Sequence, residues 1–159
     1  MTRGAGFLVG DGRTALTAAH VLAGRDGVRV KLASGEWRSA RVARIDQAGD
    51  VAALMIDGEP GQPVRAAPAL PRQGQAIAAI GSPNGLDFSM SAGIVSRHGQ
   101  VGGLMGEAPM LQIAAPIIGG NSGGPVFNGR GEAVGLVSHG TGPFNQAVPI
   151  GRALAAAGL

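Results

Sequence analysis

Short apolar runs, separated by clusters of glycine, proline, asparagine and aspartate, follow one another along the whole chain. Runs of this length between turn residues are typical of β-strands rather than of helices. The strands predicted in this way are 7–9, 14–18, 28–33, 37–45, 51–56, 76–80, 88–96, 110–114, 125–128, 133–138 and 146–149. The alanine-rich segment 150–157 is the predicted helix. The pattern therefore predicts an all-β protein with a short C-terminal helix.

A proline-rich segment divides the predicted strands into two sets. Residues 58–63 read Gly-Glu-Pro-Gly-Gln-Pro, and Pro68 and Pro71 follow. Proline has no N–H to give to a sheet ladder, so this segment is predicted to connect two β lobes. We therefore expect one domain over residues 1–159, with an N-terminal lobe (1–58), a linker (59–74) and a C-terminal lobe that carries the terminal helix (75–159).

Composition excludes several classes of protein. Apolar residues make up 45% of the 159 residues and charged residues 14%, which predicts a buried core rather than disorder. The net charge of +3 is small and no basic cluster contains aromatic residues, so nucleic-acid binding is not expected. The chain has no cysteine, which excludes disulfides, zinc–thiolate sites and a cysteine nucleophile.

The sequence also bears on the compartment. No stretch approaches about 20 unbroken apolar residues, so no membrane span is expected. Residues 1–7 lack the apolar segment of an export signal. We therefore expect a soluble chain without an export signal, which would be cytoplasmic if the chain is full length.

The segment 119–126 reads Gly-Gly-Asn-Ser-Gly-Gly-Pro-Val and carries the most specific chemical signal. A nucleophilic serine needs a hydroxyl that is free of its own backbone, and amide N–H groups that face the developing oxyanion. The glycines let the chain turn tightly. Gly120, Asn121 and Ser122 are thus the predicted oxyanion hole, in which the amides of Gly120 and Ser122 point into one cavity. Ser122 is the candidate nucleophile, and the competing interpretation is an ordinary glycine-rich hairpin turn.

A serine hydroxyl is a weak nucleophile unless a base takes its proton, and the chain offers three histidines. His20 follows an apolar strand and lies in a turn of small residues. His98 lies in a glycine-rich segment, 98–109, that is predicted to be a mobile loop. A lone histidine after a strand is more often structural than catalytic, but the presence of Ser122 reverses that preference for His20.

A third group must orient the imidazole and stabilise its charged form. Asp50 directly precedes the apolar run 51–56, so its carboxylate lies at the start of a buried strand. Asp46 ends the preceding strand, and Asp57 precedes glycine in an ordinary turn. Asp50 is therefore preferred over these two rivals.

The order His, Asp, Ser is that of chymotrypsin-like proteases, whereas subtilisin-like enzymes and α/β-hydrolases use other orders. Gly120 and Gly124 also satisfy the spacing of the α/β-hydrolase serine turn. That fold is rejected because no aspartate followed by a histidine lies downstream of Ser122 and no alternating helices are predicted.

Three blocks in this order resemble the trypsin-fold serine proteases, and specifically their bacterial HtrA-like branch without disulfides. They are residues 7–21 with His20, residues 45–54 with Asp50, and residues 120–125 with Ser122. The resemblance implies two six-stranded β-barrels with the catalytic triad in the cleft between them. It implies a serine endopeptidase that acts on polypeptides through an acyl-enzyme and needs no metal or other cofactor.

The resemblance also implies where a substrate lies. Val137, Ser138, His139 and Gly140 would pair with the substrate backbone and wall the specificity pocket, and Pro116, Ile117 and Ile118 would form its floor. No acidic residue lies there to pair with a buried cation, so a small or medium aliphatic residue is expected before the scissile bond. His139 leaves acidic or amide side chains as the weaker option, and its imidazole is expected to stack rather than to read the substrate.

The chain departs from the family pattern at three points. The match begins almost at Met1, so the first barrel is expected to lack its first strand and to be open, incomplete or completed by a partner chain or oligomer. No PDZ-like domain is expected after Leu159. Asn121 replaces the aspartate that pairs with a newly cut amino terminus in digestive relatives, so control through loops or partners is expected instead.

Two other functions stay open. A catalytically inactive or partner-activated double barrel could use the same cleft to bind peptides, since moving His20 by about 1 Å would cost roughly a hundredfold in rate. A self-processing assembly protease, which cuts only its own complex, would be favoured by exposure of Leu104 and Met105.

Overall fold

The computed structural model describes residues 2–100, 109–140 and 143–159. The strands are β1 Phe7–Val9, β2 Thr14–Thr17, β3 Gly27–Lys31, β4 Trp37–Asp46, β5 Val51–Ile56, β6 Arg65–Ala66, β7 Ala76–Gly81, β8 Ser89–Gln100, β9 Pro109–Ala114, β10 Pro125–Phe127, β11 Glu132–Gly140 and β12 Asn145–Pro149. The helices are α1 Ala19–Leu22 and α2 Ile150–Ala156, and Pro83–Gly85 forms a 3₁₀ turn. Neither α-helix of these described ranges is long and apolar enough to cross a bilayer.

The strands form two sheets, which confirms the predicted all-β fold of two lobes. The first lobe is a five-stranded antiparallel sheet in the order β1-β2-β5-β4-β3. The second lobe has the order β10-β7-β8-β9-β12-β11, and pairing of β10 with β11 closes these six strands into a barrel. Among the described residues β1 and β3 do not pair with each other, so the first lobe has two sheet edges.

Three elements differ from the sequence prediction. β8 continues through His98 because its residues pair with β9 as far as Pro109, so residues 98–100 are strand rather than loop. Leu104 and Met105 lie outside the described residues. β6 lies inside the predicted linker and pairs in parallel with β11. α1 is a single turn, too short to leave a periodic apolar pattern.

One core cluster joins the two lobes. It contains Leu16 and Val51 from the first lobe, Leu136 from the second and Ile150 from α2. Each lobe also has a core cluster of its own. β5 lies at the centre of the first sheet and is buried along almost its whole length, which explains its unbroken apolar sequence. The shared core therefore fixes the start of β5 against β11.

Candidate active site

Asp50 lies at the centre of the candidate site and is hydrogen-bonded by residues of both lobes. It directly precedes β5, is 4% exposed and has a left-handed backbone with φ of 55°. A non-glycine residue in this conformation costs on the order of 1–3 kcal/mol and persists only where its surroundings over-determine it. Here the Asp50 carbonyl accepts from Ala19 N (3.2 Å), and its own N–H donates to Gln47 O (3.3 Å). These bonds hold the carboxylate against the start of α1.

His20 lies in α1, directly against this carboxylate. Its Nδ1 is 2.8 Å from Asp50 Oδ2 and 3.0 Å from Oδ1, and its backbone N–H donates to Oδ1 (3.0 Å). Because an ionised carboxylate only accepts, Nδ1 carries the ring proton and Nε2 is left to accept one. The side chain is 43% exposed, so the ring is accessible from solvent. This geometry is the one that a general base requires.

The rival carboxylates lie elsewhere. Asp46 closes the turn before Asp50 by accepting from Gly49 N (2.9 Å). Asp57 is exposed at the end of β5. Neither has a hydrogen bond to a histidine within the described ranges.

Ser138 and His139 lie beside Asp50 on its other side. The sequence predicted both as substrate-binding residues and did not predict that they contact Asp50. Ser138 is fully buried and its Oγ donates to Asp50 Oδ2 (2.6 Å). Since the hydroxyl proton is used there, His139 Nδ1 is the donor in its 2.8 Å bond to Ser138 Oγ. The His139 and His20 rings stack, with centroids 4.9 Å apart and planes inclined by 30°. A register shift between Val137 and His139 lets both consecutive side chains approach Asp50.

Ser122 lies in the turn that leads into β10. Its carbonyl accepts from Ala5 N (2.8 Å). The next residue, Gly123, has φ of 88°, and a Cβ there would overlap Ala5 O, so the position needs glycine. Ser122 Oγ donates to Ser138 O (3.2 Å), and within the described residues it makes no hydrogen bond to His20. The hydroxyl must therefore turn about its Cα–Cβ bond before His20 can take its proton.

Two consecutive carbonyls of the serine turn are held by the segment around the 3₁₀ turn. Asn84 N donates to Gly119 O (3.2 Å), and Ser82 N donates to Gly120 O (3.1 Å). In a trans peptide the N–H points opposite to the C=O, so the Gly120 N–H faces away from Asn84. Gly120 has φ of 102°, and a Cβ there would overlap Ser82 O. The orientation of the Gly120 amide therefore depends on these two bonds and on the absence of a side chain.

Asn121 differs from its two neighbours in the predicted oxyanion hole. Its N–H donates to Ile118 O (3.1 Å) and is therefore not available to a substrate, which removes it from the predicted set. In the part of the chain that the structure describes, the amides of Gly120 and Ser122 donate to no backbone carbonyl. These two N–H groups can bind a negatively charged oxygen.

Asp87 connects the first lobe to this segment. It accepts from Lys31 Nζ on β3 (2.8 Å) and from Ser82 Oγ (2.6 Å). The hydrogen bond from Lys31, followed by that from Ser82, lowers the pKa of the Asp87 carboxyl below its usual range. Because Ser82 N also holds Gly120 O, the ion pair supports the serine turn from the opposite lobe.

The segments predicted to bind substrate differ in exposure. In 137–140 the first two residues are buried and the last two are exposed, at the end of β11. Ile117 is buried in the core of the second lobe, so its side chain is not open to a substrate and the prediction for this residue is corrected. Pro116 and Ile118 are exposed. They line a cavity of about 130 Å³ together with Pro83, Ser89, Met90, Ser91 and Asn121.

The described residues include one group of side chains that could hold a metal ion. His20, Asp50 and His139 each offer a ligand atom, and these atoms lie within 4.8 Å of one another. No sequence pattern indicates this group, because the three residues lie far apart along the chain and come together only where the two lobes meet.

Two comparisons by sequence identify proteins that are similar to this chain. The family model described as "Trypsin-like peptidase domain" matches residues 4–136. Proteins named "Probable periplasmic serine endoprotease DegP-like" are 38% identical over 136 residues in Pseudomonas fluorescens and 37% identical over 137 residues in Halomonas elongata. In both cases 85% of this chain and 29% of the relative are covered, so the chain spans less than a third of the length of these relatives.

Solved structures agree with the fold. The HtrA-type protease AlgW with a decapeptide superposes with a TM-score of 0.85 at 28% identity, over 95% of this chain and 49% of that one. The inactive form of the Rv3671c protease superposes with a TM-score of 0.86 at 24% identity, over 98% of this chain and 82% of that one, and shows the fold alone.

The names of the relatives also correct one prediction. The sequence suggested a cytoplasmic chain if it were full length, because its first residues lack an export signal. The similar endoproteases are named as periplasmic, so the cytoplasmic prediction is wrong. The error came from judging the compartment by the first residues of the chain.

Proposed function

The chain belongs to the family of trypsin-like peptidase domains, and on that premise we propose that it is a serine endopeptidase of the periplasm that cleaves polypeptides through an acyl-enzyme on Ser122. The observation that carries this proposal is the pair of bonds from His20 Nδ1 to the buried Asp50 carboxylate, at 2.8 and 3.0 Å. That pair lies on the first lobe, and Ser138 on the second lobe hydrogen-bonds both Asp50 and Ser122. The names of the DegP-like relatives support the same activity.

The proposed reaction begins when the Ser122 hydroxyl turns from Ser138 O towards His20. Ser122 Oγ then attacks the substrate carbonyl carbon while Nε2 of His20 takes the hydroxyl proton. Asp50 keeps the other ring proton on Nδ1 and stabilises the imidazolium that forms. The imidazolium gives its proton to the leaving amine, and a water activated by the same base hydrolyses the acyl-enzyme.

The Gly120 and Ser122 amides are proposed to hold the oxyanion of both tetrahedral intermediates. Removing one such donor typically costs about 10²–10³-fold in kcat. The Asn84 and Ser82 amides, which bind the carbonyls of Gly119 and Gly120, would keep the Gly120 N–H oriented without substrate.

For substrate binding we propose the exposed end of β11. A peptide that adds to this strand would gain main-chain hydrogen bonds whatever its sequence. Exposed Ile118 offers an apolar contact near the serine turn, which supports a small or medium aliphatic residue before the scissile bond. The β3 edge of the first sheet is the place where a partner chain or a second copy would pair. At the other edge, Leu8 O of β1 already accepts from Val64 N (2.8 Å).

A second candidate function is a peptide-binding domain that a partner activates. The observation in its favour is the bond from Ser122 Oγ to Ser138 O, which leaves the nucleophile turned away from His20. In that case the cleft would bind peptides without cleaving them until the serine turned.

Hydrolysis of an internally quenched peptide library by the purified chain tests the proposal. We expect cleavage after aliphatic residues, and loss of cleavage in Ser122→Ala. Ser34→Ala is the matched control, because Ser34 is exposed in the turn between β3 and β4. Peptides that bind with no cleavage by the wild-type protein would contradict the peptidase proposal and favour the second candidate.

A further inference from the structure

The stacked imidazoles of His20 and His139 both lie beside the buried Asp50 carboxylate, where the two lobes meet. His20 Nδ1 is 2.8 Å from Asp50 Oδ2, and His139 Nδ1 is 3.9 Å from the same oxygen. Of these three side chains, the proposed peptidase reaction uses only His20 and Asp50. His139 therefore brings a second nitrogen ligand, and we propose that His20, Asp50 and His139 form a binding site for Zn²⁺ that blocks the active site when it is filled.

The ligand set suits this ion. Zinc prefers imidazole nitrogens and carboxylate oxygens in a tetrahedral arrangement, and sites with three protein ligands keep one position open. Bonds of about 2.0–2.1 Å place neighbouring ligand atoms about 3.3 Å apart. The ligand atoms here lie within 4.8 Å of one another, so the widest separation has to shorten by up to about 1.5 Å. His20 Nδ1 and Asp50 Oδ2, now 2.8 Å apart, have to separate by about 0.5 Å.

The side chain that has to move is the one with the most freedom. Asp50 is fixed by burial, whereas the His139 side chain is 45% exposed and, among the described residues, its ring has one hydrogen bond, to Ser138 Oγ. Rotation of His139 towards Asp50 closes the site, and the half-exposed rings leave the fourth position open to solvent.

Ser138 supports the site from behind. Its hydroxyl donates to Asp50 Oδ2 (2.6 Å) and is itself fully buried. Partners that orient a ligating carboxylate in this way typically contribute 10–100-fold to metal affinity. The hydrogen bond from Ser138 thus orients the Asp50 carboxylate both when the ion is bound and when it is absent.

The inhibitory effect rests on the proposed function, whereas the binding does not. An ion on His20 Nδ1 would replace the ring proton that Asp50 holds, and the imidazole could no longer act as a base in the orientation that catalysis needs. Zinc would therefore act as a reversible inhibitor that competes with the His20–Asp50 hydrogen bond.

Calorimetric titration of ZnCl₂ into the Ser122→Ala chain tests binding without turnover. We expect one ion per chain, and an affinity more than tenfold weaker after His139→Gln. Ser138→Ala is expected to weaken binding about 10–100-fold. His98→Gln is the matched control: His98 is exposed on β8, and its loss should leave the affinity unchanged. Circular dichroism establishes that each variant is folded.

Equal affinity in folded His139→Gln, or binding lost in His98→Gln, would overturn the site. The peptidase rate is then measured with and without ZnCl₂ in the wild-type chain and in His139→Gln, both with Ser122 intact. We expect zinc to lower the wild-type rate and EDTA to restore it. A chain that binds zinc through His139 but cleaves no peptide would leave the site standing and contradict the peptidase. A chain that cleaves peptides at the same rate with zinc would overturn the inhibition alone.

Discussion

Replacement of Asp50 by asparagine separates the charge of this side chain from its shape. Asparagine is one of the few residues that tolerate the left-handed backbone found at this position, with φ of 55°. The new Oδ1 could still accept from the His20 backbone N–H, which now bonds Asp50 Oδ1 at 3.0 Å. The amide NH₂ would then lie where Oδ2 lies and would face His20 Nδ1 and Ser138 Oγ.

An amide that donates to Nδ1 forces the proton of neutral His20 to Nε2, where the ring can no longer accept from Ser122. Loss of the correct tautomer costs about 10⁴-fold in kcat in enzymes with such a triad, which corresponds to about 5.5 kcal/mol. Stability should change less, because the hydrogen bonds to Asp50 become weaker rather than absent. We expect a loss of about 1–3 kcal/mol in the free energy of unfolding.

Both quantities are measured on the same preparations, as kcat/KM for a cleaved peptide and as the midpoint of urea unfolding. Asp46→Asn is the matched control. In the wild-type chain the Asp46 carboxylate accepts from Gly49 N (2.9 Å) in the turn before Asp50, and its replacement should leave the rate within about twofold. A folded Asp50→Asn protein that keeps more than about a tenth of the wild-type rate would refute the assignment of Asp50 as the residue that orients His20.

Three further predictions test the serine turn, the ion pair between the lobes and the core. Gly120→Ala places a Cβ against Ser82 O, so kcat/KM should fall by at least about a hundredfold, and an unchanged rate would contradict the proposed oxyanion hole. The lowered pKa of Asp87 means that its bond to Lys31 stabilises the fold above the usual carboxyl pKa and is lost as the pH falls through the folded value. Asp87→Asn should therefore lower the melting temperature at pH 7 but not well below roughly pH 4, and equal shifts at both pH values would contradict this. Leu136→Ala should cost about 2–5 kcal/mol by urea unfolding, because Leu136 is fully buried in the core that joins the lobes, and a loss below about 1 kcal/mol would contradict that packing.

The sequence predicts those parts of the fold that depend on local pattern. The apolar run of β5 is long and unbroken because the strand is central and buried, so its limits are predicted correctly. α1 is missed because one turn is too short to show a helical period. β6 is missed because its two residues gain their structure only by pairing with β11.

The surroundings of Asp50 depend on features that no local pattern carries. In a regular strand Ser138 and His139 would point to opposite faces. The family resemblance offered both as residues of a substrate-binding wall and did not indicate that both contact Asp50. The register shift in β11 turns both towards Asp50 instead. The left-handed backbone of Asp50 is likewise set by its bonds to Ala19 and Gln47, which come together only in the folded chain.

The proposed triad is tested by the intact mass of the protein after incubation with a fluorophosphonate, which reacts with a serine only when a base activates it. We expect a single adduct on the wild-type chain, none on Ser122→Ala and none over the same period on His20→Ala. A folded wild-type chain that gains no adduct, or an adduct that persists in Ser122→Ala, would contradict the claim that Ser122, His20 and Asp50 form a working triad.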